Sequence, residues 1–263
     1  MNIITKLLCS AACLAATSVS AKDLEVTHWW TSGGEAAAVS TLAKAFNEKT
    51  DHNWIDGAIA GGGGTSIPAI ISRIIGGEPM GATQLNHGRQ AQELIEAGMM
   101  TDLTEIAEAQ GWRDIVNPVS LLDSCTVDGR VYCVPVNIHS AQWLWVSHGA
   151  FEKAGLAIPK NWDEFVAGSA ELEKNGIVPL AMGQQGWQQS IAFGALVLGV
   201  VGVDKFLEVT GDKNAEVAAG PEWTRAFQSV ANARELARKS KVQDWNLATN
   251  MVITDTAGGQ IMG

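Results

Sequence analysis

The chain has 263 residues, 46% of them hydrophobic and 17% charged, with 28 acidic against 18 basic side chains and a net charge of −10. An acidic chain with no basic patch argues against nucleic acid as a partner, while cationic surfaces and neutral solutes stay open. The length fits one large domain or two lobes, and there are no internal repeats.

The first residues read as an export leader. Lys6 supplies the positive start, Leu7 to Ala16 an apolar run, and Val19-Ser20-Ala21 a small-residue cleavage site, so residues 1–21 are expected to be removed and the mature chain to begin at Lys22. Cys9 and Cys13 raise the alternative of a lipidated N-terminus, but Ser10 stands three positions before Cys13, where a Leu-like residue is wanted. The next apolar run, Leu196 to Val203, is too short to span a bilayer.

Leu24 to Trp30 has the pattern of a buried strand, and Ala36, Val39, Leu42, Ala43 and Phe46 follow at helical spacing. Between them lies Thr31-Ser32-Gly33-Gly34-Glu35. Glu35 carries two readings, a ligand-facing carboxylate or the glutamate of a Ser32…Glu35 capping box. Gly61 to Gly64 lacks the lysine of a phosphate loop and reads as a flexible connector. Ile67, Ile70, Ile71, Ile74 and Ile75 then form an amphipathic helix stopped by Gly76-Gly77, followed by a short strand at Thr83 to Leu85 and a helix from Gln90 to Ala97. Strand and helix alternate, which predicts an α/β fold with mostly parallel sheets.

Cys125 and Cys133 flank an Asp128-Gly129 turn signal. In an oxidising compartment they read as a disulfide across a hairpin, with two free buried thiols as the alternative. Because strand side chains alternate, a two-residue turn would pair Cys125 with Tyr132 and send the sulfurs to opposite faces; the bridge therefore predicts an odd-length turn with a bulge at the glycine. Extended segments are expected at Val134 to His139 and Gln142 to Val146. Asn161 and Glu164 make a capping box for a helix over Phe165 and Leu172, Ile177 to Met182 reads as a strand, Trp187 to Leu198 as a helix, and Pro221 opens a regular helix bearing Trp223, Ala226, Phe227 and Val230.

Ligands of open parallel sheets sit beyond the carboxyl ends of strands. Trp29, Trp30, Gln84, Asn86 and His87 fall at such ends, as does Trp187. Flat aromatic faces beside a few fixed polar groups suit a neutral ligand with an apolar ring face and polar edges, which describes a sugar. Trp112, Trp162 and Trp223 read as packing, Trp143 and Trp145 as either, and Trp245 as hard to place in a core. The spacing of His28, His52, His87, His139 and His148 offers no metal site, no cofactor is implied, and no nucleophile elbow is present. A pair of carboxylates for glycoside hydrolysis, such as Glu35 with Asp163, is not excluded by spacing.

The His28-Trp29-Trp30 strand end with Glu35, the Val134-Pro135-Val136-Asn137-Ile138-His139 string and Trp162-Asp163-Glu164-Phe165 together resemble the periplasmic sugar-binding proteins of bacterial ABC importers, most closely the glucose/mannose type. The resemblance implies two α/β lobes closing over a sugar, here residues 22–136 and 137–263. It implies a monosaccharide ligand, an inner-membrane ABC permease as partner, a periplasmic, monomeric, non-enzymatic protein, and ligand contacts at Trp29 or Trp30, Glu35, Gln84 with Asn86 or His87, His139, Trp187 with Gln188, and Trp245. The alternatives are a secreted glycoside hydrolase and a sugar carrier serving a chemoreceptor. In the family a string like Ile261-Met262-Gly263 is followed by an Asp-Trp pair and much of the second lobe, so this chain reads as truncated, with that lobe incomplete.

Overall fold

In a computed structural model of the chain, residues 22–86, 88–140 and 143–263 are described. The expected leader, His87, and Gln142 at the start of an expected strand lie outside them. The chain divides into two compact units, residues 1–86 and 87–263.

The described part of the first unit runs β1 (Asp23–His28), α1 (Gly33–Lys49), β2 (Asn53–Ala58), α2 (Gly63–Ile75) and β3 (Ala82–Thr83). The strands form one parallel sheet in the order β2-β1-β3, as the alternation of patterns predicted. In register, His28 pairs Ala58 and Thr27 pairs Thr83, so the carboxyl ends of the strands reach one edge together. The α2 isoleucines divide as helical spacing requires: Ile70 and Ile74 are buried and Ile75 is exposed.

The glycine run is not a loose connector. Gly62, at φ 72°, is the N-cap of α2, and Gly63 and Gly64 form its first turn. The Gly62 carbonyl accepts from the Thr65 and Ser66 amides, and the Ser66 hydroxyl, 3.0 Å from both the Gly62 and Ile59 carbonyl oxygens, shares its one proton between them. Glycine at position 62 allows the positive φ that swings the chain out of β2 and straight into the helix.

A bidentate ion pair ties α2 to β1: Arg73 Nη1 and Nη2 donate to the Glu25 carboxylate at 2.6 and 2.9 Å. The Arg73 hydrogen bond, assisted by its charge, holds the Glu25 carboxyl below the usual carboxylate range. A depressed folded pKa gives stability that is present at neutral pH and lost as the pH falls through the folded value. Urea midpoints followed from about pH 6 down to about pH 3 should drop less steeply for Glu25→Gln than for the wild type.

The second unit begins with a 3-10 turn (Gly88–Ala91) leading into the short helices α3 (Gln92–Glu96), α4 (Thr104–Ala109), α5 (Trp112–Ile115) and α6 (Ser120–Asp123), then the hairpin β4 (Thr126–Val127) and β5 (Arg130–Val131). It continues as β6 (Trp143–Val146), α7 (His148–Lys153), α8 (Trp162–Lys174), β7 (Val178–Leu180), α9 (Gly186–Val201), α10 (Val203–Thr210), α11 (Ala215–Ala218), α12 (Pro221–Leu236), α13 (Trp245–Ile253) and β8 (Ala257–Met262). The last strand is the centre of a mixed sheet, β6-β8-β7, antiparallel to β6 and parallel to β7.

Helices cover this sheet with a core of Phe151, Phe165, Leu172, Leu180, Leu196, Ala233 and Ile261. Close approach explains the Gly258-Gly259 pair in β8: a methyl on Gly258 would lie 2.6 Å from Leu172 Cδ1, and one on Gly259 would lie 2.6 Å from the Trp145 carbonyl oxygen. The N-cap half of the expected α8 capping box forms, with the Glu164 amide donating to Asn161 Oδ1 at 2.9 Å, while the Glu164 carboxylate accepts from the amide of Lys160, one residue before the N-cap, at 2.8 Å. Trp162 stacks on Phe165 at 5.6 Å, and buried Trp223 packs against Phe227 at 6.1 Å, so both act in packing.

The hairpin corrects one expectation. Val127 pairs Arg130 and Thr126 pairs Val131, with Asp128 and Gly129 both at positive φ, which is a two-residue turn with no bulge. The Tyr132 amide also donates to the Cys125 carbonyl, yet Cys125 and Cys133 are bonded, with their Cα atoms 5.0 Å apart. Strand alternation does not extend to the cysteines, because both lie beyond β4 and β5, where the chain no longer keeps strict strand facing. Replacing both cysteines by serine should lower unfolding free energy by about 2–3 kcal/mol, measured by denaturant titration under oxidising conditions.

Candidate functional site

In the first unit the site residues gather where β1 ends. A chain leaving a sheet must find new partners for its amides, and here each tryptophan amide is taken by a side chain. The Trp29 amide donates to Gln84 Oε1 at 3.1 Å, just beyond β3. The Trp30 amide donates to His28 Nδ1 at 3.2 Å. His28 is buried, and its Nε2 pairs with Asp56 Oδ1 on β2. With Nδ1 accepting, Nε2 carries the proton toward the carboxylate, which fixes the imidazole's tautomer and plane.

The two flanking strands thus each brace one indole-bearing residue: β3 through Gln84, β2 through Asp56 and His28. Trp29 remains half-buried and Trp30 is buried. The start of α2 comes up against the same edge, since a methyl on Gly63 would lie 3.5 Å from Trp29 Cζ2 and 3.6 Å from Asn86 Nδ2. Trp29, Gln84, Asn86 and the α2 N-terminus are therefore together. The Gln84 side chain commits its oxygen to the Trp29 amide, which leaves its amide nitrogen as the group it can offer a ligand.

Glu35 lies in the first turn of α1, half-buried. Ser32 occupies the N-cap position, but its side chain caps no amide, so the serine half of the expected capping box does not form. His87 lies outside the described residues.

In the second unit Trp187 and Gln188 open α9 and Trp245 opens α13. The Trp187 indole N–H donates to Gln185 Oε1 at 2.9 Å, leaving the ring faces as what this side chain can offer. Gln188 is buried with its amide engaged inside the protein: Oε1 accepts from the Gly183 amide at 2.8 Å, and Nε2 donates to Gln185 Oε1 at 3.0 Å and to the Gln243 carbonyl at 3.3 Å. Its geometry suits support of the loop. His139, exposed, sits in the irregular run from Val134 to Ser140 with Asn137 Nδ2 at 3.1 Å from its Nε2. A cavity of about 650 Å³ lies between α9 and α12, lined by Gln184, Phe193, Leu196, Val230 and Arg234 among others. Trp187, Gln188 and Trp245 do not line it.

Asp56, Gln185 and Gly63 were missed by sequence reasoning. Only His28, adjacent to Trp29, gave a local signal, and it was a histidine with no visible partner. Since the His28 ring is the acceptor for a buried amide, His28→Leu should cost about 1–3 kcal/mol of stability in denaturant unfolding. His28→Asn, whose amide oxygen can take the place of Nδ1, should recover a measurable part of it.

Residues 30–263 match the family described as bacterial extracellular solute-binding protein. A probable sugar-binding periplasmic protein of Rhizobium meliloti (strain 1021) is 36% identical over 257 residues, covering 97% of this chain and 61% of the relative. One of the same description from Brucella melitensis biotype 1 is 36% identical over 244 residues, covering 92% of this chain and 57% of the relative. Among solved structures, the bacterial solute receptor AcbH, with an exclusive preference for β-D-galactopyranose, aligns with a TM-score of 0.73 at 19% identity over 92% of this chain and 60% of its own. A structure from work on xylan utilisation by Caldanaerobius polysaccharolyticus aligns at 0.75 and 18% identity, over 90% of this chain and 60% of that one. At these identities the structural likeness speaks for the α/β binding-protein fold alone. The chain spans about three fifths of the length of these relatives. By its match over nearly all described residues, the chain belongs to the bacterial extracellular solute-binding protein family.

Proposed function

We propose that the chain is the periplasmic solute-binding component of an ABC sugar importer, taking a neutral monosaccharide of the glucose or mannose type between two lobes and presenting it to a membrane permease. The observation that carries this reading is the braced edge at the end of β1, where Trp29, the amide nitrogen of Gln84, and Asn86 stand together beside the α2 N-terminus. The names of the curated relatives support the same class of ligand and an exported location. We assign residues 22–136 to the first lobe and 137–263 to the second, joined near Pro135 to Ser140.

In this reading the Trp29 ring, with Trp187 and Trp245, stacks on the apolar face of the pyranose. Glu35, Gln84, Asn86 and His139 read hydroxyl positions through hydrogen bonds. A site with fixed polar groups discriminates against sugars that leave them unpaired. The sugar's higher affinity for the closed arrangement then drives the signal to the permease, with no covalent step and no cofactor.

Isothermal calorimetry with D-glucose, D-mannose and D-galactose tests this. At least one should release heat, and Trp29→Ala and Trp187→Ala should each weaken that sugar by about tenfold or more. The absence of heat with all of them, or turnover of an aryl glycoside by the purified protein, would defeat the reading.

A further inference from the structure

Two helix starts in the second unit are arranged in an unusual way. Gln185 is the N-cap residue of α9 and Asp244 the N-cap residue of α13, and neither side chain caps its own helix. Aspartate at an N-cap ordinarily accepts from an amide of the first turn. Here Asp244 Oδ1 instead accepts from Gln185 Nε2 at 2.9 Å. The two side chains face one another, joining the N-termini of helices 59 residues apart in sequence.

The other end of Gln185 is equally committed, for its Oε1 accepts from both the Trp187 indole N–H and Gln188 Nε2. Gln188 in turn holds the Gly183 amide. Gly183 cannot be enlarged, because a methyl there would lie 2.3 Å from Gln188 Nε2 and 2.6 Å from the Gln243 carbonyl oxygen. Trp187 is thus bonded to Gln185 directly, and Trp245, the first residue of α13, follows the aspartate that Gln185 holds. Gln185 and Asp244 are half-buried, where such bonds are worth more than at a fully wet surface.

We propose that Gln185 is a positioning residue which, by linking the N-cap side chains of α9 and α13, sets Trp187 and Trp245 in one fixed arrangement. The proposal rests on the reading of these indoles as ligand-facing, but the linkage itself is a property of the free protein. A glutamine suits the position because one end accepts from an indole while the other donates to a carboxylate. Glutamate would keep the acceptor and set a second carboxylate against Asp244.

The test reads the indole N–H signals of tryptophan-labelled protein by NMR, with Trp187 and Trp245 assigned through Trp187→Phe and Trp245→Phe. Gln185→Leu should shift both signals and speed exchange of the Trp187 indole proton by about tenfold or more. Gln185→Glu at neutral pH should displace both signals, and adding Asp244→Asn should return them, because the carboxamide then at position 244 can donate to the new carboxylate and so reverse the bond's polarity. Asp244→Asn alone, which keeps an acceptor, should stay near the wild type. Should Gln185→Leu fail to fold, the glutamate and double variants carry the test by themselves. Either signal unmoved by the loss of Gln185, or a double variant no closer to wild type than Gln185→Glu, would overturn the proposal. A parallel titration with D-glucose, D-mannose and D-galactose should find Gln185→Leu and Gln185→Glu binding more weakly than the wild type and the double variant nearer to it; a wild type that binds none of them would count against the importer reading, while the indole signals still decide the role of Gln185.

Discussion

Two consecutive backbone amides at the end of one strand set the terms for the first unit. Where β1 stops at His28, the Trp29 and Trp30 amides leave the sheet's ladder, and an unpaired buried amide costs as much as a lost hydrogen bond. Gln84 and His28 supply the acceptors, the latter oriented by Asp56. The backbone that carries two large rings is thereby held at a sheet edge by side chains from β2 and from just beyond β3. An aromatic surface held before a ligand arrives avoids part of the ordering cost of binding.

The second unit reaches a similar end by other means. Trp187 and Trp245 sit at helix starts, where the buried amide of Gln188, the small Gly183 and the Gln185 to Asp244 bond tie the loops together. Phe151, Phe165 and Leu172 close over the glycines of β8, so the loop after β7 leaves a tightly packed sheet. In both units the polar atoms of some predicted ligand-binding side chains are partly used on the protein itself. The Gln84 oxygen and the whole Gln188 amide are the clear cases.

Periodicity made much of the fold legible. β1, α1, α2, α8, α9 and α12 carry apolar residues at strand or helix spacing with capping or stop signals, and the structure places them within a few residues of expectation. β2 was invisible because Asn53-Trp54-Ile55-Asp56-Gly57-Ala58 is a mostly exposed edge strand without clean alternation. β8 was missed because Ala257-Gly258-Gly259-Gln260 owes its place to close packing, which favours small residues over the branched ones that mark strands. The hairpin register was misjudged by extending strand alternation past the ladder's end. For the site, residue types at strand ends pointed to Trp29, Gln84, Asn86 and Trp187. The pairings His28 with Asp56 and Gln185 with Asp244 join residues 28 and 59 positions apart, and no local pattern encodes them.

The amides of Trp29 and Trp30 are both held by side-chain acceptors in the free protein. Amide hydrogen exchange at these residues measures it directly. Both should be protected, comparably to the amides inside β1. Exchange of either amide at the rate of an unstructured chain would contradict it.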